Sequence, residues 1–211
     1  MTTAISTGPA LLVRCADVGA TRAVAAALVP HIRGGDVVAL TGDLGAGTTA
    51  FTQGLASAAG VTEPVTSPTF TLMRPYPTDL GLHLLHIDLY RLDTPAQIED
   101  LGVSELLEDD AFAVIEWGER AAGLLGPHHL DVRITGPGTD DHRELELRPS
   151  GAAWTERWES VAAAVAAAVA DGAASGGVAA GVGAFPGTRA AGPGAGVGPI
   201  ADVAVGERNA P

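Results

Sequence analysis

Residues 37–51, VVALTGDLGAGTTAF, decide how the rest of the chain is read. Val37, Val38, Ala39 and Leu40 form an unbroken apolar run, which suits a parallel strand covered on both faces of a sheet. Gly42, Gly45 and Gly47 follow at once and let the backbone turn tightly enough for its N–H groups to face one concavity. Residues 49–58 carry Phe51 and Leu55 four apart, the spacing of a helix face packed on that sheet, and Gly60 closes the helix. Unpaired amides and the dipole at a helix N-terminus both attract an anion. Strand, glycine loop and helix in this order predict a phosphate-binding loop; the plainer alternative is an ordinary glycine-rich turn from strand to helix.

The P-loop pattern G-x-x-x-x-G-K-[ST] is met by Gly42, Asp43, Leu44, Gly45, Ala46, Gly47, Thr48 and Thr49 at every defining position but one. Thr48 stands where the pattern has lysine. That lysine is a point charge reaching the β- and γ-phosphates, whereas threonine offers a neutral hydroxyl on a short stem. The change predicts weaker triphosphate binding and slower phosphoryl transfer. All 12 basic residues are arginine, so no lysine elsewhere substitutes. Arg14, Arg74, Arg91 and Arg120 stand as candidates for a replacement cation.

The 211 residues accommodate one domain with its own apolar core, plus a tail. A formal net charge of −13 argues against a direct grip on nucleic acid, because phosphate contacts need clustered Lys and Arg. Cys15, the only cysteine, excludes an intrachain disulfide framework and fits a reducing cytoplasm. The N-terminus lacks a basic segment followed by an apolar one, so no secretory signal is predicted. The longest small-apolar run, residues 161–170, is too short to cross a bilayer.

Along the chain, residues 11–13 read as an opening strand, and Asp17 as the N-cap of a helix that Pro30 ends. Residues 62–78, TEPVTSPTFTLMRPYPT, read either as a nucleotide-sensing loop centred on Ser67, Pro68, Thr69 and Phe70, or as a turn before an edge strand. The strand-like LHLLHIDLYR at residues 82–91 encloses Asp88. A carboxylate in such an apolar run is costly unless paired, hydrated or metal-bound, and the functional role is preferred over Asp88 marking the strand end and simply capping or pairing with Arg91. Thr94 and Gln97 form a capping box for a short acidic helix stopped at Gly102. Residues 111–115, AFAVI, form a buried strand ending in Glu116, the Walker B arrangement that sets an acidic oxygen beside a magnesium ion.

Residues 129–134 and 143–147 alternate polar and apolar on either side of GPGTDD, the pattern of a β-hairpin. His128 and His129 have no further ligand at metal spacing and are read as surface or strand-edge residues. Residues 152–171 predict one helix, with Trp154, Trp158 and Val161 packing on the sheet. Residues 172–211 are rich in Gly, Ala and Pro without a periodic apolar face and read as a disordered tail. The expected architecture is α/β: a P-loop NTPase-like sheet flanked by helices, with a C-terminal β-hairpin and helix, in a domain spanning residues 1–171.

Four blocks in order, GDLGAG at 42–47, SPTF at 67–70, HIDLYRL at 86–92 and IEWGE at 115–119, make the chain resemble the bacterial TsaE family over roughly residues 10–150. That family is the P-loop ATPase component of the machinery making threonylcarbamoyladenosine in tRNA. The resemblance implies ATP and Mg2+ as ligands, cytoplasmic residence, and action with TsaB and TsaD, with tRNA met only through those partners and no membrane involved. It implies that residues 42–49 cradle the phosphates, that Thr49 and Glu116 hold magnesium, and that Asp88 positions the attacking water or assists the metal. Thr21 would lie near the adenine. Because Thr48 departs from the family pattern, two functions are carried: a weak or partner-activated ATPase, and a nucleotide-sensing scaffold that binds without hydrolysis. A third, a small-molecule kinase, needs a lid carrying cationic residues, and no arginine-rich segment is present.

Overall fold

The computed structural model describes residues 9–68, 71–92, 94–107, 110–121, 125–136, 142–174 and 182–185. In chain order the elements are β1 (Ala10–Cys15), α1 (Val18–Ala26), β2 (Val37–Thr41), α2 (Thr48–Ala58), β3 (Met73–Pro77), β4 (His83–Asp88), α3 (Pro95–Glu99), α4 (Val103–Leu106), β5 (Ala111–Glu116), β6 (His129–Thr135), β7 (Arg143–Ser150), α5 (Gly151–Thr155), α6 (Trp158–Ala174) and β8 (Val182–Phe185). One mixed sheet runs β3-β4-β5-β2-β6-β7-β1-β8. Its centre, β4-β5-β2-β6, is parallel, and the flanking pairs are antiparallel. The fold is α/β, as the sequence predicts.

The central strands are apolar throughout because both sheet faces are covered. Alternate side chains of β2 and β5 enter different cores: Val38, Leu40, Phe112 and Val114 join Phe51 and Leu55 of α2, Val24 of α1 and Val161 of α6. Val37, Ala113 and Ile115 face the opposite side with Ile87, Leu89 and Ile98. This alternation matters at the strand ends. Glu116 shares the parity of Phe112 and Val114, and His86 and Asp88 share that of Leu84, so all three belong to the α2 side of the sheet.

Local signals act as read. Asp17 caps α1 by accepting from the Ala20 amide at 2.8 Å, and Thr94 and Gln97 form the expected capping box of α3. Pro30 lies in a 3-10 turn, Val29–His31, directly after α1. The hairpin joins β6 and β7 with Thr135 opposite Glu144, and residues 137–141 of its turn lie outside the described residues. Met73–Pro77 is an edge strand, so the segment before it does lead into one.

Two expectations need correction. The tryptophan-bearing stretch is two helices, not one, interrupted at Glu156 and Arg157. There Arg157 turns inward over the Trp154 ring at 3.9 Å and donates to Asp36 at 2.5 Å and to the His31 carbonyl at 2.8 Å. Trp154, Trp158 and Val161 are all buried, as their spacing requires. The segment read as a structureless tail also contributes: α6 continues to Ala174, and β8 pairs antiparallel with β1, Leu11 opposite Ala184. An otherwise open edge at β1 supplies the unpaired backbone groups that such a segment satisfies. The remainder of residues 172–211 lies outside the described residues. No helix among the described residues is long and apolar enough to cross a membrane.

Candidate functional site

The loop between β2 and α2 lies at the carboxyl ends of parallel strands, where open α/β sheets gather their ligand-binding residues. Gly47 has φ 109°, a conformation that side-chain-bearing residues rarely adopt, and it sits immediately before the first turn of α2. Parallel pairing then brings the two acidic strand ends together: Asp88 is the register partner of Glu116, and Glu116 is the partner of Leu40, two residues before Gly42. Asp88 and Glu116 are 4% and 3% exposed, so both carboxylates are sunk at the base of the site.

Each carboxylate is held by named donors. Thr48 donates to Glu116 Oε2 at 2.5 Å, and Thr49 donates to both Glu116 oxygens at 3.1 Å. His86, fully buried, lies 2.8 Å from Glu116 Oε1 through Nε2. A carboxylate is an acceptor, so Nε2 carries the proton, and Nδ1 is buried with no hydrogen-bond partner among the described residues. Asp88 accepts from the Ser67 hydroxyl at 2.5 Å and from the Tyr90 amide at 2.9 Å. The segment carrying Ser67 is tied to α2, where Gln53 donates to the Val65 carbonyl at 2.9 Å. Thr69 and Phe70 lie outside the described residues.

These groups open on a cavity of about 490 Å³ lined by Gly42, Asp43, Leu44, Gly45, Gly47, Thr48, Thr49, Ser67, Asp88, Tyr90, Glu116 and Trp117. Every predicted loop residue but Ala46, which is buried, lines it, as do both predicted carboxylates. Tyr90 and Trp117 form its aromatic rim, ring centroids 5.2 Å apart. Among the described residues of the lining, Asp43, Asp88 and Glu116 are the charged ones. The cavity lining includes the Thr48 and Thr49 hydroxyls and the Asp88 and Glu116 carboxylates, oxygens of the kind a hard cation takes, while no cluster of three or more His, Cys, Asp or Glu able to hold a metal is found among the described residues.

None of the four arginines nominated from the sequence lines this cavity. Arg14 pairs with Glu144 at 2.9 Å and Arg74 with Glu63 at 2.9 Å; Arg120 donates to the Leu92 carbonyl at 2.9 Å and lies over Trp117. Arg91 is exposed. Among the described residues, the arginine that does meet the loop is Arg143, which donates from Nε to the Ala46 carbonyl at 2.8 Å and from Nη2 to the Gly45 carbonyl at 3.5 Å. It also lines a second cavity of about 500 Å³ with Arg14, Cys15, Thr135, Gly136, His142 and Glu144. Burial pushes the Cys15 thiol up to about 11, so this cavity wall is uncharged there at neutral pH. Thr21 is buried in α1, its hydroxyl directed at the Asp17 carbonyl at 3.3 Å. His129 stands at the start of β6, 3.3 Å from Asp131, whose hydrogen bond raises its pKa.

His86 and Arg143 were not singled out from the sequence. His86 carried a signal, a polar residue inside the apolar run of β4, but its partner lies 30 residues away on β5. Arg143 is 97 residues from Ala46 and reads in sequence as a hairpin residue.

The family profile for threonylcarbamoyl adenosine biosynthesis protein TsaE matches residues 15–145. The chain belongs to the TsaE family. The match takes in the glycine loop, Ser67, Asp88, Glu116 and Arg143. TsaE of Bacillus subtilis is 38% identical over 131 residues, covering 62% of this chain and 80% of that protein. TsaE of Streptomyces coelicolor is 38% identical over 141 residues, covering 64% and 95%. Among solved structures, Bacillus subtilis YdiB superposes with a TM-score of 0.60 at 30% identity, covering 75% of this chain and 95% of that one.

Proposed function

We propose that this TsaE-family chain binds ATP in its glycine loop and serves threonylcarbamoyladenosine modification of tRNA as a weak or partner-activated ATPase, working in the cytoplasm with TsaB and TsaD. The observation that carries the reading is the convergence of the Thr48 and Thr49 hydroxyls on Glu116, at the mouth of a glycine loop that opens helix α2. Main-chain amides of residues 45–49 would cradle the phosphates, and the helix dipole would favour their charge. Thr49 Oγ1 and the Glu116 carboxylate would hold Mg2+, which supplies neutralisation of the phosphate charge as it develops. Asp88, fixed by Ser67 and the Tyr90 amide, is the acceptor available to orient the attacking water. The nucleoside is assigned to the second cavity, beside Arg143, because that residue spans from the cavity to the loop carbonyls. A net charge of −13 fits a chain that leaves tRNA to its partners.

A second reading, a scaffold that senses nucleotide without hydrolysing it, is favoured by one observation: Thr48 turns its hydroxyl to Glu116 and so presents no positive group to a γ-phosphate. Calorimetry with ATP and Mg2+ beside a phosphate-release assay, each with and without TsaB and TsaD, separates the two. Binding with release that rises when the partners are added supports the ATPase. Binding without release in either condition supports the scaffold, and no binding contradicts both.

A further inference from the structure

Asp88 owes its orientation to a helix residue that lies outside the cavity. We propose that Gln53 of α2 is a positioning residue that sets the Asp88 carboxylate through Val65 and Ser67; the consequence for turnover rests on the nucleotide reading given above.

Gln53 is half-buried and uses both ends of its amide. Arg22 of α1 donates from Nη2 to Gln53 Oε1 at 2.7 Å, and Gln53 Nε2 donates to the Val65 carbonyl at 2.9 Å. A guanidinium can only donate and a carbonyl can only accept, so these two neighbours admit one orientation of the amide. Arg22 reaches this place because Gly54, the next residue of α2, lets α1 lie against it.

The bond to Val65 matters because its segment has little else to fix it. Among the described residues, 62–67 make no backbone–backbone hydrogen bond. Glu63 pairs with Arg74 at 2.9 Å, but both side chains are exposed, and a pair of that kind contributes little. The Val65 side chain is buried in the core on the α2 side of the sheet. That apolar anchor sets the depth of the segment, whereas the Gln53 bond sets the rotation of the peptide plane after Val65. Pro64 and Pro68 restrict their own φ and bias Glu63 and Ser67 toward extended backbone. A rotation set at Val65 is therefore carried to Ser67 rather than absorbed on the way. Ser67 donates to Asp88 Oδ2 at 2.5 Å, and the Tyr90 amide donates to Oδ1 at 2.9 Å. The Tyr90 amide comes with the end of β4 itself. The Ser67 hydroxyl has to be brought in from another segment, and Gln53 is what aims it.

Displacing Ser67 would take this donor from Oδ2 and turn the carboxylate. The loop amides and Glu116 stand on α2 and β5 and would keep their places. Loss of Gln53 should then slow the chemical step and leave nucleotide binding nearly unchanged.

The test compares the full chain as wild type, Gln53→Glu and Gln53→Lys. Gln53→Glu keeps an acceptor for Arg22 but sets a carboxylate oxygen against the Val65 carbonyl, and Gln53→Lys restores a donor able to reach it. In two-dimensional 1H–15N correlation spectra without nucleotide, Gln53→Glu is expected to move the Thr66, Ser67 and Tyr90 amides and leave Gly45 and Gly47 in place; Gln53→Lys should return Tyr90 toward its wild-type position. In phosphate release with ATP, Mg2+, TsaB and TsaD, Gln53→Glu is expected to lose about 10- to 100-fold in kcat with KM within about threefold, and Gln53→Lys to recover most of the loss. A Tyr90 amide that stays in place in Gln53→Glu, or an unchanged kcat whatever the KM, overturns the positioning role. Wild-type protein that releases no phosphate overturns the ATPase reading instead, and the Tyr90 amide then decides the proposal alone. Should Gln53→Glu not fold, Gln53→Met, which removes the donor without adding charge, replaces it in both measurements.

Discussion

His86 puts a polar ring in the middle of an apolar strand, and the structure gives its reason: Nε2 holds Glu116 at 2.8 Å. A buried donor of this kind fixes a carboxylate in one orientation and aims its remaining lone pairs at the site proposed for the metal. His86→Leu is therefore expected to lower Mn2+ affinity in the presence of ATP by about 10- to 100-fold, while His86→Gln, which keeps a donor, recovers much of it. Equal affinities in wild type and both variants would contradict that role. Cys15 gives a simpler expectation. With its thiol at about 11 and 1% exposed, it should resist alkylation at pH 8 in the native protein and react once the chain is unfolded. Rapid native labelling would refute it. At this scale the sequence exposed the groups whose chemistry is local, the glycines, Asp88 and Glu116. It hid those whose purpose lies across the sheet, because His86 and Arg143 acquire partners only through strand register and the hairpin.

At the scale of elements, the glycine loop is steadied by the packing of α1 on α2. Gly54 lies in the middle of α2, where glycine lowers helix propensity, yet a Cβ there would stand 2.5 Å from the Arg22 backbone. Close approach of the two helices is what the glycine permits. Gly54→Ala should destabilise the protein by about 1–3 kcal/mol despite alanine's better propensity, read as a lower midpoint in urea unfolding at constant slope. An unchanged or raised midpoint would show that the helices separate freely. Most elements were legible because their signals are short-range: Asp17 and Thr94 as caps, apolar runs for β2 and β5, alternation for β6 and β7. The break between α5 and α6 was not, since its cause is the inward turn of Arg157 to Asp36, a residue 121 positions away. β8 was missed for a similar reason: a four-residue strand with Gly183 inside it and no alternation is specified mainly by the β1 edge it meets.

For the whole molecule, the strand order places β4, β5 and β2 side by side, so that two acidic strand ends and one glycine loop meet at a single edge. On the far side of β2, the run β6-β7-β1-β8 brings Arg143 of β7 to the loop. Family membership agrees with this plan, and Thr48 is the position at which the chain departs from the general P-loop pattern. On the proposed function, the amides between Gly45 and Thr49 grip a nucleotide's phosphates. Its most direct test is a two-dimensional 1H–15N correlation titration of the full chain with ATP and Mg2+. The largest amide shifts are expected at Gly45, Ala46, Gly47, Thr48 and Thr49, accompanied by Tyr90 and Glu116 at the neighbouring strand ends. Shifts confined to other parts of the molecule, with those five amides unmoved at saturating ATP, would contradict it.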